Sequence, residues 1–267
     1  MPDMPAAGIA ARFVAARQNG HGLASFPGLL PSNLDDAYAI QRAAIALWPD
    51  AIAGWKVRRL SPALAARFGL DRFVGPVFAA SVARLDKGKE ADFPVFVGGS
   101  AAFEAEYVMV AHADQPLQDA GFDTGRARRL IGTVRIGVEV AGSPLAAMPD
   151  LDSLASIADF GNNNGQIFGP DIPLAALDDP RAMTCSTSID GIPVRSASAA
   201  DLPGGPLAAF AFALDQCARL GFPLTAGQFV STGAVTGMHR VRVGQRCTAD
   251  FGAFGRIACL TVPIGRT

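Results

Sequence analysis

From about residue 76 to its end the chain carries no long uninterrupted apolar stretch. Glycine or proline recurs every few residues, and that punctuation restricts this part of the chain to short strands and tight turns. Strands are expected at 76–83, 93–97, 101–112, 132–142, 166–169, 184–190, 228–232, 245–251 and 255–262, many with period-two alternation. Two helices interrupt them: one over about 150–158, the other from Gly205-Pro206 to Leu220 with Gly221 placed to end it. Before residue 76 the spacing is mainly helical. Residues 6–18 form a first helix, stopped by Asn19-Gly20-His21-Gly22. A second starts at a capping-box-like Ser32, three residues before Asp35, aligns Ala37, Ile40, Ala44 and Leu47 on one face, and ends before Pro49. Ser61-Pro62 opens a short third helix to Phe68, and a strand is expected at 52–58. The reading is an α+β protein, with a mainly helical N-terminal lobe over residues 1–75 and a large curled sheet over residues 76–267. No βαβ series, GxGxxG or Walker loop is present, which disfavours a nucleotide-binding α/β fold.

Composition narrows the partners. The 29 glycines and 19 prolines outnumber the 23 basic and 24 acidic residues, and half of the 267 residues are hydrophobic, enough to bury a large core. A net charge of −1 and a pI near 6.3 supply no basic field for nucleic acid. Arg126-Ala127-Arg128-Arg129 reads as a solvated face. Cys185, Cys217, Cys247 and Cys259 lack CxxC spacing and read as buried free thiols. Residues 1–5 lack the basic start of a secretory leader. No segment reaches the roughly 18 apolar residues of a membrane helix, since the most apolar run, Pro206 to Leu214, is cut by Asp215. The expectation is a cytoplasmic protein with no membrane partner.

Charge is scarce, so acids inside apolar strands stand out. In Phe103-Glu104-Ala105-Glu106-Tyr107-Val108-Met109-Val110, a strand would turn Glu104 and Glu106 to one face, about 7 Å apart at their Cα atoms. Two like charges on a dry face need raised pKa values or a cation. Glu139 stands in a second apolar strand, 132–140, sharing a face with Arg135. Three carboxylates without a nearby His or Cys would select a hard ion, Mg²⁺ or Mn²⁺, over zinc. On pattern alone two arrangements stand open: a metal site, or glutamates that face solvent or pair with Arg135. Lys56, in Gly54-Trp55-Lys56-Val57-Arg58-Arg59, gains weight only beside those glutamates, because a lysine in a poorly solvated pocket can exchange protons near neutrality. Two loops have the composition of ligand-binding turns: 159–165, with Asn163 and Asn164, and 231–237, with Thr232. For each, an ordinary connecting turn is the competing reading.

Taken in order, these segments resemble the fumarylacetoacetate hydrolase superfamily, and within it the 2-keto-4-pentenoate hydratase and oxalocrotonate decarboxylase branch. Leu34 to Gln41 looks like the branch's N-terminal helix motif, and Gly54-Trp55-Lys56 like its strand with the catalytic lysine. Glu104-Ala105-Glu106 and Glu139 fall where the family's metal ligands lie, and Gly205-Pro206, Leu224 to Gly227 and Val230 to Gly233 fit its C-terminal pattern. The resemblance implies a mixed, mainly antiparallel rolled sheet and an oligomer of at least two copies. It also implies an Mg²⁺- or Mn²⁺-dependent lyase on a 2-oxo acid or 2-hydroxydienoate, with Lys56 shuttling the proton. Hydratase is the first reading, decarboxylase or C–C hydrolase the second, and a non-catalytic 2-oxo-acid-binding homologue a third. Two positions depart from the branch. Arg58 stands where a small residue is usual and becomes a substrate-binding candidate with Asn163, Asn164 and Thr232. Phe73 lies where an acid is expected, with Asp71, offset by two, as the nearest candidate for the second acid/base.

Overall fold

The computed structural model describes residues 5–85, 89–116 and 121–265; residues 1–4, read above for a leader, lie outside it. In chain order the helices are α1 (Ala6–Asn19), α2 (Leu34–Leu47), α3 (Pro62–Phe68), α4 (Thr124–Arg128), α5 (Ser153–Ala158) and α6 (Gly205–Arg219). The first seven strands are β1 (Ile52–Arg59), β2 (Arg72–Phe78), β3 (Val82–Arg84), β4 (Ala91–Val95), β5 (Ser100–Ala111), β6 (Ile131–Ser143) and β7 (Asn163–Ile172). The remainder are β8 (Thr184–Ile189), β9 (Ile192–Ser198), β10 (Phe229–Ser231), β11 (His239–Arg240), β12 (Arg246–Asp250) and β13 (Arg256–Pro263).

They form two sheets. The larger runs β2-β1-β10-β5-β6-β7-β3, with β11 also on β5, and the smaller runs β4-β13-β12-β8-β9. Pairing is mixed but mainly antiparallel; β1–β10, β3–β7 and β4–β13 are the parallel pairs. The expected curled α+β architecture is what the chain adopts. β1 and most of β2 come from the first 75 residues and are integral to the larger sheet, beside the helices α1 to α3 of the same segment.

Alternation along the large sheet sorts its side chains into two sets. Trp55 and Val57 of β1, Ala105, Tyr107 and Met109 of β5, Val134, Ile136 and Val138 of β6, and Val230 of β10 enter the main core, together with Phe210 and Leu214 of α6. The residues between them point the other way. There Val108, Phe168 and Phe229 make a small apolar cluster, and Lys56, Glu104, Glu106, Glu139 and Gln166 are also buried. A separate cluster built on α1, α2 and α5 includes Phe78 and Phe160.

Several local differences have plain causes. The N-cap of α2 is Asn33, whose side chain accepts from Asp36 N at 2.9 Å; Ser32 Oγ donates to the Asp36 carboxylate instead. Leu47, at the end of α2, is exposed, so the buried face is carried by Ala37, Ile40 and Ala44. α5 is shorter than expected because Asp152 caps it at Leu154 and Ala155, after a separate 3₁₀ turn at Met148–Asp150. β2 starts at Arg72 because it is zipped to β1 from Arg59↔Arg72 onward. β9 gave no sequence signal: it is a largely exposed edge strand with no buried apolar alternation. All four cysteines are buried and free. Among the described residues no helix is long and apolar enough to cross a membrane.

One close approach governs the region around Lys56. Gly75 of β2 lies against the turn Phe160–Asn162, and a Cβ there would meet Phe160 O at 2.4 Å and Gly161 Cα at 2.7 Å. Replacing Gly75 by alanine is therefore expected to destabilise the fold by about 1–3 kcal/mol, read as a lowered urea midpoint. Gly98→Ala is the control for a crowding effect: no atom lies within 4 Å of its added Cβ, although its positive φ adds a separate backbone cost.

Candidate metal centre

The register of β5 against β6 places Glu104 directly opposite Glu139, and Glu106 opposite Gly137. Gly137 keeps this face open, since a Cβ there would strike Val108 and the Gln166 side chain. Glu104, Glu106 and Glu139 are all buried, and each offers a carboxylate oxygen within 4.8 Å of the other two. β1 contributes Lys56, fully buried, with Nζ 2.8 Å from Glu139 Oε1. Lys56 pairs in register with Ser231 on one side and Gly75 on the other, which explains why a lysine stem fits: Gly161 packs against its Cδ, where a side chain would crowd it.

Each glutamate is differently supported. Glu106 Oε2 accepts from Ser231 Oγ at 2.6 Å and from Gly233 N at 2.8 Å. Glu139 Oε1 accepts from Asn163 Nδ2 at 3.1 Å in addition to its contact with Lys56. Glu104 Oε1 and Glu139 Oε2 are buried without a hydrogen-bond partner among the described residues. Desolvation, then repulsion from Glu139, raises the Glu104 pKa against the lowering by Lys56 and Arg58. The Glu106 carboxyl is pushed well above its ordinary value by desolvation and by Glu139 and Glu104, against Lys56 and the Ser231 hydrogen bond.

Three buried carboxylates beside one ammonium leave an excess of negative charge, and two oxygens lack partners. A divalent cation satisfies both deficits, and an all-oxygen donor set suits Mg²⁺ or Mn²⁺. The alternative of glutamates paired with Arg135 does not hold. Arg135 bonds Asp171 at 3.1 Å and lies over the Phe168 ring, 4.8 Å from its centroid.

The remaining candidates are placed unequally. A cavity of about 180 Å³ reaches Glu104 and is lined by Arg58, Arg59, Arg72, Thr232 and Gly233 among others. Thr232 Oγ1 itself donates to Tyr107 O. Asn163 braces Glu139, whereas Asn164 Nδ2 donates to Pro94 O, away from the carboxylates. Asp71 is not brought to the centre: its side chain is half-exposed, is held by Arg72 at 2.7 Å, and does not line the cavity. Two residues absent from the sequence-derived site stand beside it. Gln166 is opposite Glu139 in register, fully buried, with Oε1 unpartnered; a polar residue opening an apolar strand was its only signal. Ser231 holds Glu106, and the small, polar 231–237 loop had flagged its neighbourhood.

Support for this geometry comes from further away. Arg17 of α1 is buried and bonds Asp159 Oδ1 at 2.6 Å, Asn163 O at 2.8 Å and Gly142 O at 3.0 Å. Phe160 and Asn162 take φ of 52° and 63°, a backbone region that costs non-glycine residues energy. The Arg17 network bonds on both sides of that strained turn and thereby fixes Asn163 against Glu139.

No family model matches the chain. A 2-keto-4-pentenoate hydratase of Burkholderia vietnamiensis is 27% identical over 259 residues, covering 96% of this chain and 97% of that protein. A 2-keto-4-pentenoate hydratase 3 of Pseudomonas putida is 26% identical over 239 residues, covering 86% of this chain and 84% of that protein. Among solved structures, 4-oxalocrotonate decarboxylase from Pseudomonas putida G7, complexed with magnesium and adipate, superposes with a TM-score of 0.78 at 22% identity, covering 96% of this chain and 97% of its own. Fumarylpyruvate hydrolase from Pseudomonas aeruginosa, in complex with Mn²⁺ and pyruvate, gives 0.56 at 19% identity, covering 78% and 88%. The fold is that of the 4-oxalocrotonate decarboxylase structure, here with a buried three-carboxylate centre. By sequence the chain is a homologue of proteins named 2-keto-4-pentenoate hydratase.

Two measurements test the centre. Glu104→Gln combined with Glu106→Gln is expected to abolish the heat of Mn²⁺ binding in calorimetry while the circular dichroism spectrum is retained. In the unaltered protein, carboxyls with raised pKa values hold protons to higher pH than an ordinary carboxylate, at about 4. Mn²⁺ must displace those protons, so affinity should fall as pH drops through the raised values, with proton release visible as buffer-dependent binding heat.

Proposed function

We propose that the chain is a divalent-metal-dependent lyase acting on a 2-oxo acid or 2-hydroxydienoate, with hydration of a 2-keto-4-pentenoate-type substrate as its reaction. The observation that carries this reading is the juxtaposition of Glu104, Glu106 and Glu139 with a fully buried lysine, 2.8 Å from one of them. The names and bound ions of the homologues and structural neighbours support it.

The three glutamates would hold Mg²⁺ or Mn²⁺. That ion supplies Lewis acidity to the carboxylate and keto oxygens of a 2-oxo acid, stabilising charge that develops when the substrate tautomerises. The chain's own groups do the rest. Lys56 Nζ, aligned by Glu139 and shielded from water, holds the proton that must move between the substrate's oxygen and carbon as the dienol becomes an enone. Glu139 is in turn fixed by Asn163, so the lysine's position traces back to the Phe160–Asn162 turn. Ser231 and Gly233 pin Glu106, and Thr232, Gly233 and Arg58 form walls of the approach beside Glu104. Water then adds at the β-carbon of the enone. With Asp71 turned to Arg72 and Phe73 buried, Glu104 is the one carboxylate among the described residues lining that approach.

Decarboxylation is the second reading, because the substrate's 2-oxo group, polarised by the same metal, would accept the electrons released with CO₂, and Lys56 would supply the proton that takes the place of the lost carboxylate. We further place the protein in the cytoplasm as a homo-oligomer; four free thiols and the exposed Ile192 and Val194 of β9 support that setting.

The test is an absorbance assay on a panel of 2-hydroxydienoates and 2-oxo diacids, with and without EDTA. Turnover should vanish with EDTA and return with Mg²⁺. Lys56→Ala should lower kcat by a factor of about 10²–10⁴ while calorimetric Mn²⁺ binding survives. A hydroxylated 2-oxo acid as product assigns hydratase, and CO₂ assigns decarboxylase. Metal binding without turnover of any member of the panel would reject the enzyme in favour of a binding protein.

A further inference from the structure

One row of the large sheet holds three buried oxygens with nothing to bond. Glu104 on β5, Glu139 on β6 and Gln166 on β7 stand directly opposite one another across the three strands. Each leaves one side-chain oxygen buried without a partner among the described residues: Glu104 Oε1, Glu139 Oε2 and Gln166 Oε1. Residues paired in this way turn their side chains to one face. Gln166 is 0% exposed, so bulk water does not reach its amide. Its Nε2 donates to Ile167 O at 3.5 Å, which turns Oε1 away from that carbonyl. Nε2 also lies 2.6 Å from where a Cβ on Gly137 would stand, and Gly137 is paired with Glu106. The amide therefore reaches along β6 from the level of Glu139 towards that of Glu106.

The donors beside this row are already engaged: Lys56 Nζ and Asn163 Nδ2 both face Glu139 Oε1. A cation satisfies the free carboxylate oxygens directly. The amide oxygen of Gln166 is an uncharged acceptor, and burying it without a donor is costly, so it belongs where a donor arrives. An ion such as Mg²⁺ keeps several of its waters when bound to protein, and those waters bring O–H donors. Charge points the same way. Three glutamates, one lysine and a divalent ion sum to zero, a balance that an amide preserves and a fourth carboxylate would not.

We infer that Gln166 is a fourth member of the cation centre, a positioning residue whose Oε1 accepts a hydrogen bond from a water carried by the ion. The inference rests on the metal dependence proposed above and not on any substrate assigned to the site.

Two variants test it, with Mn²⁺ alone as the probe. Gln166→Leu keeps the bulk of the side chain and removes the acceptor. In calorimetric titration it should weaken Mn²⁺ binding by about 10- to 100-fold, while the urea midpoint of the metal-free protein stays level or rises because an unpartnered oxygen has gone. Gln166→Glu keeps an acceptor of the same reach and adds negative charge. It should bind Mn²⁺ at least as tightly as the unaltered protein, and its metal-free urea midpoint should fall. Loss of affinity in Gln166→Leu with recovery in Gln166→Glu is a pattern that packing alone does not produce. Unchanged affinity in Gln166→Leu overturns the inference and leaves the three-glutamate centre intact. So does weakened binding in both variants, which makes Gln166 a packing residue. If the unaltered protein does not bind Mn²⁺, the centre itself fails and the role of Gln166 fails with it.

Discussion

Glu104, Glu106 and Glu139 lie on one buried stretch of sheet with a single lysine among them, and much of the surrounding structure is arranged to make that tolerable. Each buried ionised group costs several kcal/mol in lost hydration, and that cost is offset only by well-placed partners. Here Lys56 faces Glu139, Ser231 and Gly233 hold Glu106, and Asn163 braces Glu139 from the next strand. What stays unbalanced is one carboxylate oxygen on Glu104 and one on Glu139, and the pressure of burial and repulsion on the carboxyls of Glu104 and Glu106. Those deficits are what a bound cation would relieve and a plain polar core would leave standing.

The lysine depends on glycine. Gly75 and Gly161 let two backbone segments close to within contact beside its stem, and Gly54 admits the Phe229 ring on the neighbouring strand. The turn that brings Gly161 there bends two non-glycine residues into positive φ. The energy for that strain comes from the Arg17–Asp159 ion pair and its backbone contacts, buried between α1 and the turn. The N-terminal helix is thus mechanically connected to the chemistry through Asn163, even though it contributes no group to the centre.

Charge in this chain is distributed in two stages along β1. Lys56 neutralises inside, where water is excluded, and Arg58 and Arg59 carry positive charge outward to the cavity. Arg58, Arg59 and Arg72 share that cavity with Glu104, a surplus of positive charge that suits an anion.

Much of this could be read from residue order. The alternation Phe103, Ala105, Tyr107, Met109 against Glu104, Glu106, Val108 determined on its own that the two acids share a face, because strand geometry allows no other outcome. Glycine and proline spacing likewise determined a turn-rich sheet protein, and Ser61-Pro62 the start of α3. Register was beyond reach. That Glu139 lies opposite Glu104, that Gln166 completes the row, and that Lys56 arrives beside them through pairing of β1 with β10 depend on contacts between residues far apart in sequence. The same limit explains Asp71, which looked available as an acid until Arg72 claimed it at the surface, and Asn164, which turned to Pro94. Local periodicity specifies which way a side chain points from its own strand; only the packed sheet decides what it meets there.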